Sequence, residues 1–328
     1  MTLDPEIKTM LEELAAAAAQ SQQETTLESS RADYKRQYIT MSRAPDGKVT
    51  EETVRIPGAH PETSLQVYRP AGLAGPAPVI LYLHGGGFVL GDSVAYAKQS
   101  ARIALECGAI VAFLNYRLSP EHLFPAALQD TWLAADWIAA NAGTLGADRS
   151  RFVLMGDSAG ANLSIATMIE QRARRPFTCV CLLYPLVDAR PYVGLAPPSR
   201  SDREFAKGYY LEFEETEYFA NAYLGDKALA EDPRVSPALA TDLSGLPPIL
   251  FYSGEIDVLR DQGKDFAEQL KAAGNDVHYR CFDGLIHNFM QHSGISKASD
   301  AAFLEVCRDV RRLLAAPASR RAAQTLSR

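Results

Sequence analysis

The residues best placed to do chemistry in this 328-residue chain stand in one pentapeptide, Gly156-Asp157-Ser158-Ala159-Gly160. It follows an apolar run ending at Met155 and precedes a helix candidate beginning at Ala159. That is the strand, turn, helix setting in which a G-x-S-x-G serine is lifted out as a nucleophile. The turn strains the serine and exposes its hydroxyl, and strand and helix pass so closely that the positions two before and two after it must be small. Gly156 and Gly160 meet that condition. A glycine-rich turn with an incidental serine also fits the pentapeptide, so other residues must decide.

A second signal is His84-Gly85-Gly86-Gly87-Phe88, which follows the run Val79 to Leu83. A loop of this kind presents bare backbone N–H groups to a developing oxyanion. A phosphate loop is excluded by residue type, because the third glycine is missing at Leu90 and no Lys-Ser/Thr pair follows. A serine hydroxyl needs an imidazole to take its proton, and the imidazole needs a carboxylate to fix its tautomer. With a nucleophile elbow the expected chain order is Ser, acid, His. Of the histidines after Ser158, His278 falls in an alternating strand run and His292 lies in a Gln/Ser/Gly stretch expected at the surface. His287, on a loop just past a strand, is the expected base. For the acid, Glu255, Asp257 and Asp261 all follow the run Ile249 to Tyr252, and spacing separates them poorly; Asp261 also reads as the N-cap of the next helix.

These residues must be held by a rigid frame. Short, continuously apolar runs at Val79–Leu83, Ile110–Leu114, Phe152–Met155, Val180–Leu183, Ile249–Tyr252 and Val277–Phe282 suit strands buried on both faces of a parallel sheet. Helix candidates fall between them at Val94–Cys107, Pro125–Ala142, Ala159–Arg172, Asp261–Ala273 and Ala298–Ala315, which makes the fold class α/β. Two alternating runs, Thr53–Ile56 and Leu65–Tyr68, read as an antiparallel pair ahead of that core. The division expected is an N-terminal helical cap at 1–45, a core at 46–187 and 238–315, a second cap segment at 188–237 with an aromatic, acidic helix from Phe205 to Tyr223, and a disordered tail at 316–328. Within the insert, Tyr209, Tyr210 and Phe213, together with Phe88 of the glycine loop, are the expected lining of a substrate pocket.

Taken together, His84-Gly-Gly-Gly-Phe88, Asn115-Tyr-Arg-Leu-Ser-Pro-Glu-His122, Phe124-Pro-Ala-Ala-Leu128, Gly156-Asp-Ser-Ala-Gly160 and Gly284-Leu-Ile-His287-Asn-Phe289 resemble the hormone-sensitive-lipase family of α/β-hydrolases, the bacterial family IV carboxylesterases. The likeness runs from about Pro76 to the last helix. It implies an α/β-hydrolase fold with a helical cap, and a serine carboxylesterase without a cofactor; the absence of a long apolar lid and of a signal peptide favours short- to medium-chain esters as its substrates. It further implies Ser158 as nucleophile, His287 as base, Asp257 as the acid, and an oxyanion hole from the N–H groups of Gly85, Gly86 and Ala159. Arg117, Glu121 and His122 are then supporting or buried polar residues and not catalysts, and a homodimer through the edge strand Val277–Phe282 is in keeping with the family. The chain departs from the family pattern at Ala161, where a second glycine is usual, and at Asp257-Val-Leu-Arg-Asp-Gln262, which lacks the usual proline. An amidase, lactonase or deacetylase would use the same triad, and a binding protein on this fold would need none of it.

Composition excludes other classes. With 47% hydrophobic residues the chain can bury a large core, and a net charge of −7 disfavours nucleic-acid binding. The five cysteines form no disulfide framework or CxxC pair, and no H-E-x-x-H pattern occurs, so no metal site is expected. No segment reaches about 18 uncharged apolar residues and no export signal is evident, so a cytoplasmic, soluble protein without membrane partners is expected.

Overall fold

The computed structural model describes residues 1–20, 26–174 and 177–315. The tail expected at 316–328 lies outside the described residues. Eight strands form one sheet in the order β1-β2-β4-β3-β5-β6-β7-β8: β1 (Val49–Val54), β2 (Ser64–Pro70), β3 (Ala77–Leu83), β4 (Ile110–Asn115), β5 (Ala147–Asp157), β6 (Cys179–Leu183), β7 (Ile249–Ile256) and β8 (Val277–Ile286). β1 and β2 pair antiparallel, β2 meets β4 antiparallel, and the remaining neighbours are parallel. Five of the apolar runs thus become the interior parallel strands β3 to β7, whereas Val277–Phe282 becomes the edge strand β8, whose exposure alternates; of the two alternating runs, Leu65–Tyr68 lies in β2 and Thr53–Ile56 overlaps only the end of β1.

The strand period of two divides the core into two layers. Val79, Leu81 and Leu83 of β3 join Leu154, Leu182 and Phe251 on one face, against α4 (Ala126–Asn141), α5 (Ala159–Glu170) and α8 (Arg260–Ala272). Ile80 and Tyr82 join Val153, Met155, Cys181 and Tyr252 on the other, against α3 (Ala97–Cys107) and α9 (Lys297–Ala315). A sheet covered on both sides requires the continuous apolar strands seen in the sequence.

Two segments stand over the C-terminal edge of this sheet. One comprises α1 (Pro5–Gln20) and α2 (Leu27–Met41); the other is the insert between β6 and β7. The aromatic stretch of the insert is not one helix. α6 (Arg200–Glu204) ends just before it, its first part is irregular with Gly208 and Tyr210 at positive φ, and only α7 (Phe213–Leu224) is helical. The insert is tied down by Asn162 of α5, whose side-chain amide donates to the carbonyls of Leu186 at 2.9 Å and Val235 at 2.8 Å. Gln262 also holds it, accepting the N–H groups of Val187 and Asp188. Arg31 clamps α2 to the core by donating to Val89 O, Ser119 O and both oxygens of Glu121.

Candidate active site

Each chemical residue is the first one past a strand. Ser158 follows β5, Asp257 follows β7, His287 follows β8, and His84 opens the glycine loop after β3. Parallel strands therefore deliver all of them to one edge of the sheet, where ligands bind in open α/β folds. Ser158 has φ 52° and ψ −117° and starts α5, the strained turn read from its sequence. The close approach is real: a Cβ on Gly160 would lie 2.0 Å from Leu83 O, and one on Gly156 2.4 Å from Gly160 O.

The three side chains meet. His287 Nε2 lies 3.0 Å from Ser158 Oγ and Nδ1 lies 2.7 Å from Asp257 Oδ2. Asp257 Oδ1 is held in turn by the N–H of Leu259 at 2.8 Å. All three are buried at 9% exposure or less, so water competes little for these bonds. The rival acids are occupied elsewhere. Glu255 accepts the N–H of Gly284, and Asp261 sits inside the first turn of α8, not at its cap, accepting from Ser201 N and Arg260.

One oxyanion residue needs correction. The N–H of Gly85 does not face the serine: it donates to Asp157 Oδ1 at 3.1 Å and to Tyr96 Oη at 3.1 Å. The donors left open are one residue further on. Gly86 and Gly87 line the cavity beside Ser158 and Ala159, and among the described residues nothing accepts a hydrogen bond from the N–H groups of Gly86, Gly87 or Ala159. Gly86 (φ +98°) and Gly87 (φ +61°) occupy the region where a side chain would be strained, and a Cβ on Gly87 would meet the Phe219 ring at 2.1 Å. The sequence marks the glycines but not which N–H is taken, because the taker, Asp157, is merely the second letter of the pentapeptide. Burial pushes its carboxyl up to about 6 in spite of the hydrogen bonds from Tyr82, Tyr96 and Gly85.

The serine opens onto a cavity of about 420 Å³ between the sheet edge and the two overlying segments. Leu11, Leu14, Tyr34 and Gln37 come from α1 and α2; Tyr210, Glu215 and Phe219 come from the insert. Phe88 is in the wall, its ring stacked 3.7 Å from Tyr223. Tyr209 and Phe213 are not among the described lining residues. Tyr209 packs edge-on to Phe205 and Phe213 packs against Tyr192, so both serve the internal packing of the insert. Arg117 makes a paired contact with buried Asp130, whereas Glu121 and His122 lie nearer the surface with Arg31 and Glu62 as partners.

His292, expected at the surface, is fully buried. It meets Tyr210 edge-on at 4.8 Å, and among the described residues neither ring nitrogen has a hydrogen-bond partner. Burial, helped by the charge of His287, holds its pKa down to about 3, and burial alone holds His84 at about 4. A base whose folded pKa is depressed adds stability above its unfolded value near 6.5 and loses it as pH falls toward the folded value. Buried carboxyls such as Asp157 work the other way over the same range, so the effect is read as a difference. Relative to the parent chain, His292→Phe should gain about 2 kcal/mol of unfolding free energy between pH 7.5 and pH 5.0 in denaturant titrations. An unchanged difference would mean that His292 is protonated in the fold.

Residues 80–291 match the model of the alpha/beta hydrolase fold family. The chain is 35% identical over 254 residues to the carboxylic ester hydrolase LipN of Mycobacterium tuberculosis, covering 75% of this chain and 66% of LipN, about two thirds of that relative's length. It is 32% identical over 263 residues to carboxylesterase NlhH of the same species, covering 79% and 80%. A hyperthermophilic esterase from the archaeon Pyrobaculum calidifontis superposes with a TM-score of 0.87 at 32% identity, covering 96% of this chain and 100% of the other. On the matched family, these relatives and the shared fold, the chain belongs to the hormone-sensitive-lipase-like carboxylesterases of the α/β-hydrolase superfamily.

Proposed function

We propose that the chain hydrolyses short- to medium-chain carboxylic esters through an acyl-enzyme on Ser158. The observation that carries this is the unbroken line Ser158 Oγ, His287 Nε2, His287 Nδ1, Asp257 Oδ2 at the floor of the cavity. Ser158 Oγ attacks the ester carbonyl carbon while its proton passes to Nε2. The carbonyl oxygen, now anionic, takes hydrogen bonds from Gly86, Gly87 and Ala159 N–H groups. Collapse of the tetrahedral species expels the alcohol, which leaves with the proton from Nε2; water, activated by the same imidazole, then releases the acid. Asp257 keeps the other proton on Nδ1, so that Nε2 faces the serine as an acceptor.

The cap segments 1–45 and 188–237 over the core at 46–187 and 238–315 are part of the proposal, since both contribute to the cavity walls. Their reach limits the acyl chain. Rates on p-nitrophenyl esters from acetate to palmitate should peak at short or medium length and fall at least about 100-fold by palmitate, whose chain exceeds a pocket of a few hundred Å³. A rate that rises steadily to palmitate would refute the length limit, and turnover of anilides or lactones above matched esters would move the reaction to those bonds.

A cytoplasmic setting is supported by five free thiols, four of them buried. Among the described residues no helix is long and apolar enough to cross a membrane. Pairing of two copies through β8 is supported by its position at the sheet margin, where its outer edge lacks a neighbouring strand among the described residues.

A further inference from the structure

The cavity is charged with one sign. Among the described residues that line it, Glu212 and Glu215 are acidic and none is Lys or Arg. Glu212 is used locally, accepting the N–H of Gly208 at 2.9 Å. Glu215 is at the third position of α7, three residues past the cap residue Glu212, and makes no ion pair among the described residues. Its side chain is exposed by surface area and lines the cavity, and the mass of protein around that cavity pushes its carboxyl up to about 7. Among the described lining residues no Lys or Arg faces this carboxylate, and the charge that steadies it is that of His287.

Its neighbours are aromatic. Phe219 lies one turn on along the same face of α7, Tyr210 is close enough to feel the Glu215 charge, and Tyr34 of α2 belongs to the same cavity lining. Aromatic rings and a carboxylate lining one cavity are the chemistry that holds an alkylammonium group, which needs a diffuse negative field more than directed hydrogen bonds.

We propose that this cavity selects esters carrying an alkylammonium group, with Glu215 as the counter-charge and Tyr34, Tyr210 and Phe219 as the surrounding rings. This rests on the esterase reading and names its substrate class. Glu215 is a specificity-determining residue in this role and not a member of the triad. A purely structural role as a helix cap is the alternative, and Glu215→Gln separates the two. Glutamine reaches back to a cap N–H as glutamate does but carries no charge.

The test compares butyrylcholine with 3,3-dimethylbutyl butyrate, which replaces the ammonium nitrogen by carbon at nearly constant shape. The parent chain should favour the cationic ester by about tenfold or more in kcat/KM, and in Glu215→Gln the ratio should collapse to about 1. No preference in the parent, or the same preference in both proteins, overturns the proposal. Calorimetry on Ser158→Ala, with choline and 3,3-dimethylbutanol as ligands, reads recognition without turnover. Choline binding tighter than the neutral alcohol, and lost on adding Glu215→Gln, upholds it; equal or absent binding of choline overturns it. Choline binding with neither ester hydrolysed by the parent chain would instead count against the esterase reading alone.

Discussion

Ser158→Ala is expected to lower kcat on a short p-nitrophenyl ester by about 10⁴-fold or more, because nucleophile and base act as a unit and neither retains its function without the other. The loss is chemical and not structural. Ser158 already carries the strain of a φ of 52°, and alanine at the same position bears the same strain without the hydroxyl. No buried polar group loses its only partner except His287 Nε2, which faces the cavity. The variant should therefore fold and melt close to the parent. Activity within tenfold of the parent would remove Ser158 from the mechanism.

The second large effect concerns the acid. Asp257 holds two donors, Leu259 N–H on Oδ1 and His287 Nδ1 on Oδ2. Asparagine has one carbonyl oxygen to offer. If it keeps the backbone N–H, its NH₂ faces Nδ1 and forces the imidazole into the tautomer with the proton on Nε2. That tautomer cannot accept the serine proton. Asp257→Asn should cost about 10³- to 10⁴-fold in kcat with little change in KM. Glu255→Gln and Asp261→Asn, whose carboxylates serve Gly284 and Ser201, should stay within about tenfold, since neither reaches the imidazole. Kinetics of the three variants on one ester decide among the acids. A larger loss at Asp261 than at Asp257 would reassign the role.

The difference between these acids shows what the chain could and could not declare. The strands were legible because burial on both faces demands uninterrupted apolar runs, and the elbow was legible because crowding at Gly156 and Gly160 admits no side chain. Fixing one residue at the end of each strand then put Ser158, Asp257 and His287 at the same edge. What was not legible depends on contacts between distant segments. That Gly85 N–H turns to Asp157 instead of the serine is set by a buried carboxylate shared with Tyr82 and Tyr96, 75 and 61 residues away from it. That His292 is buried follows from its cover by Tyr210 of the insert, and a Gln/Ser/Gly neighbourhood carries no sign of that. The same holds for Tyr209 and Phe213: aromatic content marks the insert as apolar, but which rings face the cavity depends on the irregular backbone near Gly208. Arg31 is the extreme case, a polar residue in an unremarkable stretch whose partners lie 58 to 90 residues on.

The most direct test of the acyl-enzyme mechanism is covalent labelling with a fluorophosphonate, read by mass spectrometry of the tryptic peptide Phe152–Arg172. An activated Ser158 should take one phosphonyl group, with activity lost in step, and labelling should vanish in Ser158→Ala and slow greatly in His287→Ala. No adduct on the intact chain, or an adduct on another residue while activity disappears, would contradict the mechanism.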